Sequence, residues 1–234
     1  MKKILVLMIA LILSAPSFLL AHDVYVARGA DALVVMWGHD GKSDPYKPTF
    51  VKNVKAFDAA GQDVGVTMKP EGTKAVLAPA KAPALVAILF ETGAWVKTPE
   101  GYKNVSKREA KDVLESWKGF AYNKNIWHWH DNFAKPLGYK FEIVPLKNPL
   151  TLKVGESLPV QVIYDGKPKE GLEVKAGGGH ADQKGVLTDK DGKANVTVNQ
   201  GGMQVIKTSL RTPLQNDPDA DLLQESTNIV FHIK

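Results

Sequence analysis

Short runs of alternating apolar and polar residues dominate the chain after its first 21 positions, and they predict strands. Residues 23–27 (DVYVA) read as a short strand and 32–37 (ALVVMW) as a buried one. Residues 50–57 (FVKNVKAF) form a third. A turn at Ala60-Gly61-Gln62-Asp63 leads into 64–68, and 74–77 follows. After a Pro/Ala stretch at 78–83 comes 85–91 (LVAILFE), whose first six positions are apolar on both faces, as in a central strand. One helix is predicted. Ser106 with Glu109 forms a capping box, Ala110, Val113, Leu114 and Trp117 share a helical stripe, and Gly119 is a stop.

The segment 137–149 (LGYKFEIVPLKNP) reads as a crossing into a second domain. From Leu150 onward, strands and turns alternate every 8–12 residues. Asp165-Gly166, Gly177-Gly178-Gly179, Lys190-Asp191-Gly192 and Gly201-Gly202 mark turns between about seven short strands, the pattern of a sandwich. The expected fold class is therefore mainly β, with two β-sandwich-type domains and one short helix in the first. Residues 22–140 would form an N-terminal β-rich domain and 141–234 a C-terminal sandwich.

Residues 1–21 follow another pattern. Lys2 and Lys3 precede an unbroken apolar run, Ile4 to Leu13, then Ser14, Pro16 and Ser17 break it and Leu19-Leu20-Ala21 suits cleavage. The run is short of the roughly 20 residues of a membrane span, so it reads as a secretory signal. The expected compartment is the bacterial periplasm, with no stable membrane insertion of the mature chain.

Composition narrows the chemistry. The 234 residues are 44% hydrophobic and 24% charged, ordinary for a globular chain and against wholesale disorder. No cysteine is present, which excludes disulfides, thiolate metal sites and cysteine nucleophiles. A transition-metal site must then use His, carboxylate, backbone or the free amino terminus. The net charge of +5 falls to +3 once Lys2 and Lys3 leave with the signal. The basic residues Lys103, Lys107, Arg108, Lys111 and Lys118 are scattered, and no nucleic-acid partner is expected.

Cleavage after Ala21 makes His22 the first residue. Its imidazole and its α-amine, with an ordinary pKa of about 7.7–8.0, can then close a chelate ring on one metal. Against this stands the reading that the protease cuts before whatever residue is there. The densest cluster is Trp127-His128-Trp129-His130. If the backbone is extended, both histidines share one face, both tryptophans the other, and adjacent Asp131 could orient a ligand imidazole. Two solvated histidines at an aromatic edge would look the same. His39 lies in Trp37-Gly38-His39-Asp40-Gly41, a tight loop after a buried strand, where functional groups often sit. The candidate metal ligands are thus His22, His39, His128 and His130. His180, after three glycines, is weaker, and His232 reads as structural or exposed.

Catalytic signatures are missing: there is no G-x-S-x-G, H-E-x-x-H, P-loop or Rossmann fingerprint, and no enzyme is expected. Asp189-Lys190-Asp191-Gly192 lacks the closing Glu of an EF-hand and reads as a hairpin turn. Asp217, Asp219 and Asp221 read as a solvated loop.

Several stretches together carry a resemblance. They are Ala21-His22, then Leu137-Gly138 and Phe141-Glu142-Ile143-Val144-Pro145-Leu146-Lys147-Asn148-Pro149, then Leu152, Val154-Gly155 and Gln161-Val162. Asp165-Gly166-Lys167-Pro168 with Gly171, and Thr188-Asp189 with Asp191-Gly192, complete the set. The chain resembles bacterial periplasmic nickel/cobalt-uptake components, a family long described as a domain of unknown function. The last two elements also resemble transthyretin-like and immunoglobulin-like sandwiches. The resemblance implies a soluble protein that binds a divalent transition metal (nickel or cobalt, with copper or zinc possible) and serves an inner-membrane metal importer. It also implies a terminal-histidine role for His22. The Trp-His-Trp-His stretch has no counterpart in it. Two other readings stay open. One is a copper protein with a terminal-histidine brace, which the scattered Met36, Met68 and Met203 disfavour. The other is a non-metal β-sandwich that binds a protein or a glycan.

Overall fold

A computed structural model describes residues 22–29, 32–39, 42–177 and 184–234. The expected signal at 1–21 and His180 lie outside the described residues.

The chain is mainly β, as expected. The first half contributes β1 (Asp23–Arg28), β2 (Leu33–Gly38), β3 (Val51–Phe57), β4 (Val66–Glu71), β5 (Lys74–Pro79), β6 (Leu85–Thr98), β7 (Gly101–Lys103) and β8 (Glu115–Ile126). The second half contributes β9 (Phe141–Pro145), β10 (Ser157–Tyr164), β11 (Lys167–Pro168), β12 (Glu173–Ala176), β13 (Val186–Leu187), β14 (Lys193–Thr197), β15 (Gly202–Pro213) and β16 (Leu222–Ile233).

These strands form three layers. The central sheet runs β13-β12-β15-β16-β8-β6-β3, with β7 paired to β6. A sheet of order β1-β2-β5-β4 covers one face, and a sheet of β11-β10-β14 with β9 covers the other. β6 shows why both covers are needed. Its Leu85 and Ala87 pack into the core beneath β9, β10 and β14, while Val86, Ile88 and Phe90 pack into the core beneath β1, β2 and β5. A fully buried Leu, Ile or Phe contributes about 1.5–3 kcal/mol of transfer free energy. A strand apolar on both faces therefore specifies a middle layer.

The expected boundary at 140/141 does not divide the hydrogen bonding. β16 pairs in parallel with β8, residues 222–230 against 117–125, so the central sheet runs through both halves. The stretch expected as a crossing contains β9, which pairs with β10.

The expected helix is absent, and the described residues hold only three short 3-10 turns as helical structure. Ser106 does act locally, accepting from Arg108 N at 3.2 Å, and Glu109 N reaches Ser106 O at 2.9 Å. The turn then stops, and Asp112 adopts a left-handed φ of 52°. Tertiary pairing takes the rest. Trp117 lies opposite Trp95 of β6, with parallel rings 6.4 Å apart, and Gly119 lies opposite a β-bulge at Glu91/Gly93. Of the five basic residues read as scattered, three meet one acidic loop. Lys107 binds Asp221 at 2.6 Å, Arg108 binds Asp219 at 2.7 Å and Lys118 binds Asp217 at 2.7 Å, so the acidic loop is a docking partner.

Candidate metal centre

The antiparallel hairpin β1-β2 brings its two ends together, with Asp23 opposite Gly38. His22 and His39 are the next residues outward and become neighbours. Their rings stack with centroids 5.2 Å apart and planes 26° apart. His22 also stacks on Trp37 at 4.4 Å. The loop after β2 folds back tightly: Lys42 N donates to His39 O at 2.8 Å and Asp44 N to Trp37 O at 2.9 Å. Gly38 permits this, because a Cβ there would stand 2.4 Å from Lys42 O.

The fold-back delivers a carboxylate. His22 Nε2 lies 2.5 Å from Asp44 Oδ2. An ionised carboxylate only accepts, so Nε2 carries the hydrogen and Nδ1 of a neutral ring is left as the donor atom for a metal. A second carboxylate stands nearby. Asp23 is buried, is held through both oxygens by Lys207 Nζ at 2.9 and 3.0 Å, and lies 3.7 Å from His39 Nδ1. Each imidazole thus has a carboxylate beside one of its nitrogens.

The other two expected ligands are elsewhere. Five residue steps of β1 separate Asp23 from Arg28, about 17 Å at strand rise, and Arg28 lies 4.4 Å over the Trp127 ring. His128 and His130 therefore stand near the opposite end of β1, and the four histidines do not converge. The segment is not a strand either. β8 ends at Ile126, and His130 is the N-cap of a 3-10 turn, Asp131–Ala134, its Nδ1 accepting from Asn132 N at 3.2 Å. The tryptophans part company as well. Trp127 packs on the core beneath β1 and β2, and Trp129 packs on the opposite core. Asp131 orients no histidine but accepts from Trp129 Nε1 at 3.0 Å. His128 is exposed, and so is His232.

Sequence reasoning missed Asp23 and Asp44. Asp44 is three residues past Gly41, and only the fold-back brings it to His22. Asp23 carries a legible signal, since an acid within a strand that faces a core calls for a cation. Met36 and Met203, distant in sequence, pack against one small cluster of Tyr25, Val205 and Val230. Among the described residues, no three His, Asp or Glu side chains stand close enough to hold a metal ion. A site at His22 would need a donor beyond those side chains to be complete.

No curated protein and no solved structure matches the chain. The profile of a domain family of unknown function, DUF4198, matches residues 14–212, and the chain belongs to that family.

Proposed function

We propose that the processed chain captures a divalent transition-metal ion, nickel or cobalt foremost, in the periplasm and delivers it to an inner-membrane importer. The observation that carries this reading is the contact of His22 Nε2 with Asp44. A terminal histidine chelates through its α-amine and Nδ1, and Nε2 points away from the ring that closes. Asp44 engages that unused nitrogen, so it orients the imidazole without competing for the metal. His39, stacked beside it, supplies a second imidazole. Such nitrogen-rich, sulfur-free ligation suits nickel, cobalt, copper and zinc.

Before cleavage, residue 22 has an amide nitrogen in place of the amine, and among the described residues the side chains make no three-donor cluster. Binding competence would then arise only after export, as a periplasmic carrier requires. The compartment and the importer rest on the leader pattern and the family resemblance.

The test is calorimetric titration of nickel, cobalt, copper and zinc into the chain beginning at His22, beside a chain with one alanine added before it. The added residue should weaken nickel binding by about two orders of magnitude, about 2.7 kcal/mol. Equal affinities would remove the terminal amine and this reading with it.

A copper carrier is the second reading, favoured by Met36 and Met203 sharing one cluster. Thioethers select copper(I). Competition titration of Met36→Leu and Met203→Leu against copper(I) separates the two, because the nickel/cobalt reading expects no change.

A further inference from the structure

A metal ligand at the first residue of a chain faces a physical difficulty, because termini fray unless they are tied down. The ties here are unusual. β1 is an edge strand, with β2 on one side only. The free edge of such a strand presents unpaired backbone groups. In this protein buried side chains meet them. Asn125 Oδ1 accepts from Val26 N at 2.8 Å, and Asn228 Nδ2 donates to Val24 O at 2.9 Å. Asn123 Nδ2 donates to Asn228 Oδ1 at 2.7 Å, and Asn125 Nδ2 donates to Asn123 Oδ1. The three asparagines are 1%, 1% and 6% exposed in the order 123, 125 and 228. They stand on β8 and β16, where Asn123 lies directly opposite Asn228. Lys207 adds the grip on both oxygens of Asp23.

A buried amide costs free energy unless its groups are paired. Three in the middle of the central sheet are a poor choice for filling space, which apolar side chains do without that cost. They do what apolar groups cannot: they hold two backbone groups of β1 at fixed positions. Together with Lys207 they anchor residues 23, 24 and 26. We propose that Asn123, Asn125, Asn228 and Lys207 are positioning residues that seat the first strand of the processed chain and so keep His22 beside His39. The proposal rests on the terminal-metal reading for its purpose, but the seat itself can be tested without metal.

The experiment uses the chain beginning at His22 and two variants, Asn228→Ala and Lys207→Met. The second removes a partly exposed amine on β15 and keeps the test alive if the first fails to fold. Native-state hydrogen exchange is read at the β1 amides and at those of β15 and β16, followed by nickel titration. The β1 amides should exchange at least about tenfold faster while β15 and β16 hold. Nickel affinity should fall about tenfold, as for other groups that orient a ligand from behind. Unchanged exchange in β1, or equal acceleration throughout the sheets, overturns the seat. Selective loosening of β1 with undiminished nickel binding overturns the positioning role. If β1 loosens selectively and the parent chain binds no nickel, the seat stands and the metal reading falls.

Discussion

At one end of β1, His22 and His39 stack beside two carboxylates. At the other, His128 is exposed and His130 caps a turn. The first pair is separated by 17 positions of sequence, yet a hairpin closes it. The second pair is two positions apart, yet its neighbours diverge, because Trp127 and Trp129 enter different cores. Proximity in sequence therefore misleads in a layered β protein. Which histidines can share a ligand is decided by strand ends, and the segment after β8 crosses the edge of the central layer.

The comparison breaks first on stability. The chain beyond His130 is held by Lys124 and Glu142, which pair at 2.5 Å with side chains 4% and 0% exposed. Glu142 also accepts from Leu137 N at 2.8 Å and Tyr139 N at 2.7 Å. Burial pushes the Lys124 ammonium below the ordinary lysine range, and the charge of Glu142 opposes that fall. Glu142→Gln should strand the buried ammonium and cost about 3–5 kcal/mol, read as a lower urea midpoint. Lys124→Met in the same background should recover most of the loss. Nickel affinity of the folded fraction should stay at the parent value. A matching loss of affinity would show that the two ends of β1 are not independent.

How much of this was legible follows from what each pattern depends on. Period-two alternation reports local burial, and it located the strand at 23–27 and most of those in the second half, while an uninterrupted apolar run located 85–91. The helix failed because Ser106 and Glu109 specify only one turn, whereas the fate of residues 115–126 depends on Trp95 and β16, over 100 positions apart at the extreme. The shared central sheet was invisible for the same reason: nothing local marks residues 222–230 as a partner of 117–125. His22 could be nominated from the sequence by the expected cleavage before it, and His39 by its tight loop after a buried strand. Their carboxylates could not, since Asp44 arrives through a loop fold-back and Asp23 through Lys207. The row Asn123-Lys124-Asn125 did hold a signal, polar side chains inside a strand flanked by Tyr122 and Ile126, which asks for buried partners on both faces.

The pH axis sharpens the contrast. At the His22 end the freed amine must lose a proton to bind metal, so nickel affinity should climb by up to about tenfold per pH unit below pH 8. The interior responds much higher. Burial raises the phenols of Tyr122 and Tyr139 above the ordinary tyrosine range, with the charges of Glu225 and Glu142 respectively adding to it. The folded state thus holds these protons more tightly than the unfolded chain. Their contribution to stability is complete below about pH 10 and is lost as pH rises beyond it. Melting temperatures from pH 6 to 11, set beside nickel titrations from pH 6 to 8, should show affinity changing where these tyrosines leave stability flat. Loss of Tm should follow only above pH 10.

The smallest effect isolates His130. Its Nδ1 accepts from Asn132 N, and its ring packs 5.9 Å from Phe133 and against the turn at Gly61, where a Cβ would stand 2.6 Å from that nitrogen. This is a capping histidine, and His130→Ala removes one side-chain acceptor from a short turn. The loss should be about 1 kcal/mol, in the range of helix N-cap deletions, with nickel affinity unaltered. His39→Ala should give the opposite weighting, with nickel affinity as the quantity that falls most, because its ring stacks beside His22 at the proposed site. Paired urea unfolding and nickel calorimetry on the two single variants read both quantities. A His130→Ala chain that loses metal affinity would place a ligand at the far end of β1 after all, and the hairpin would no longer be what selects the site.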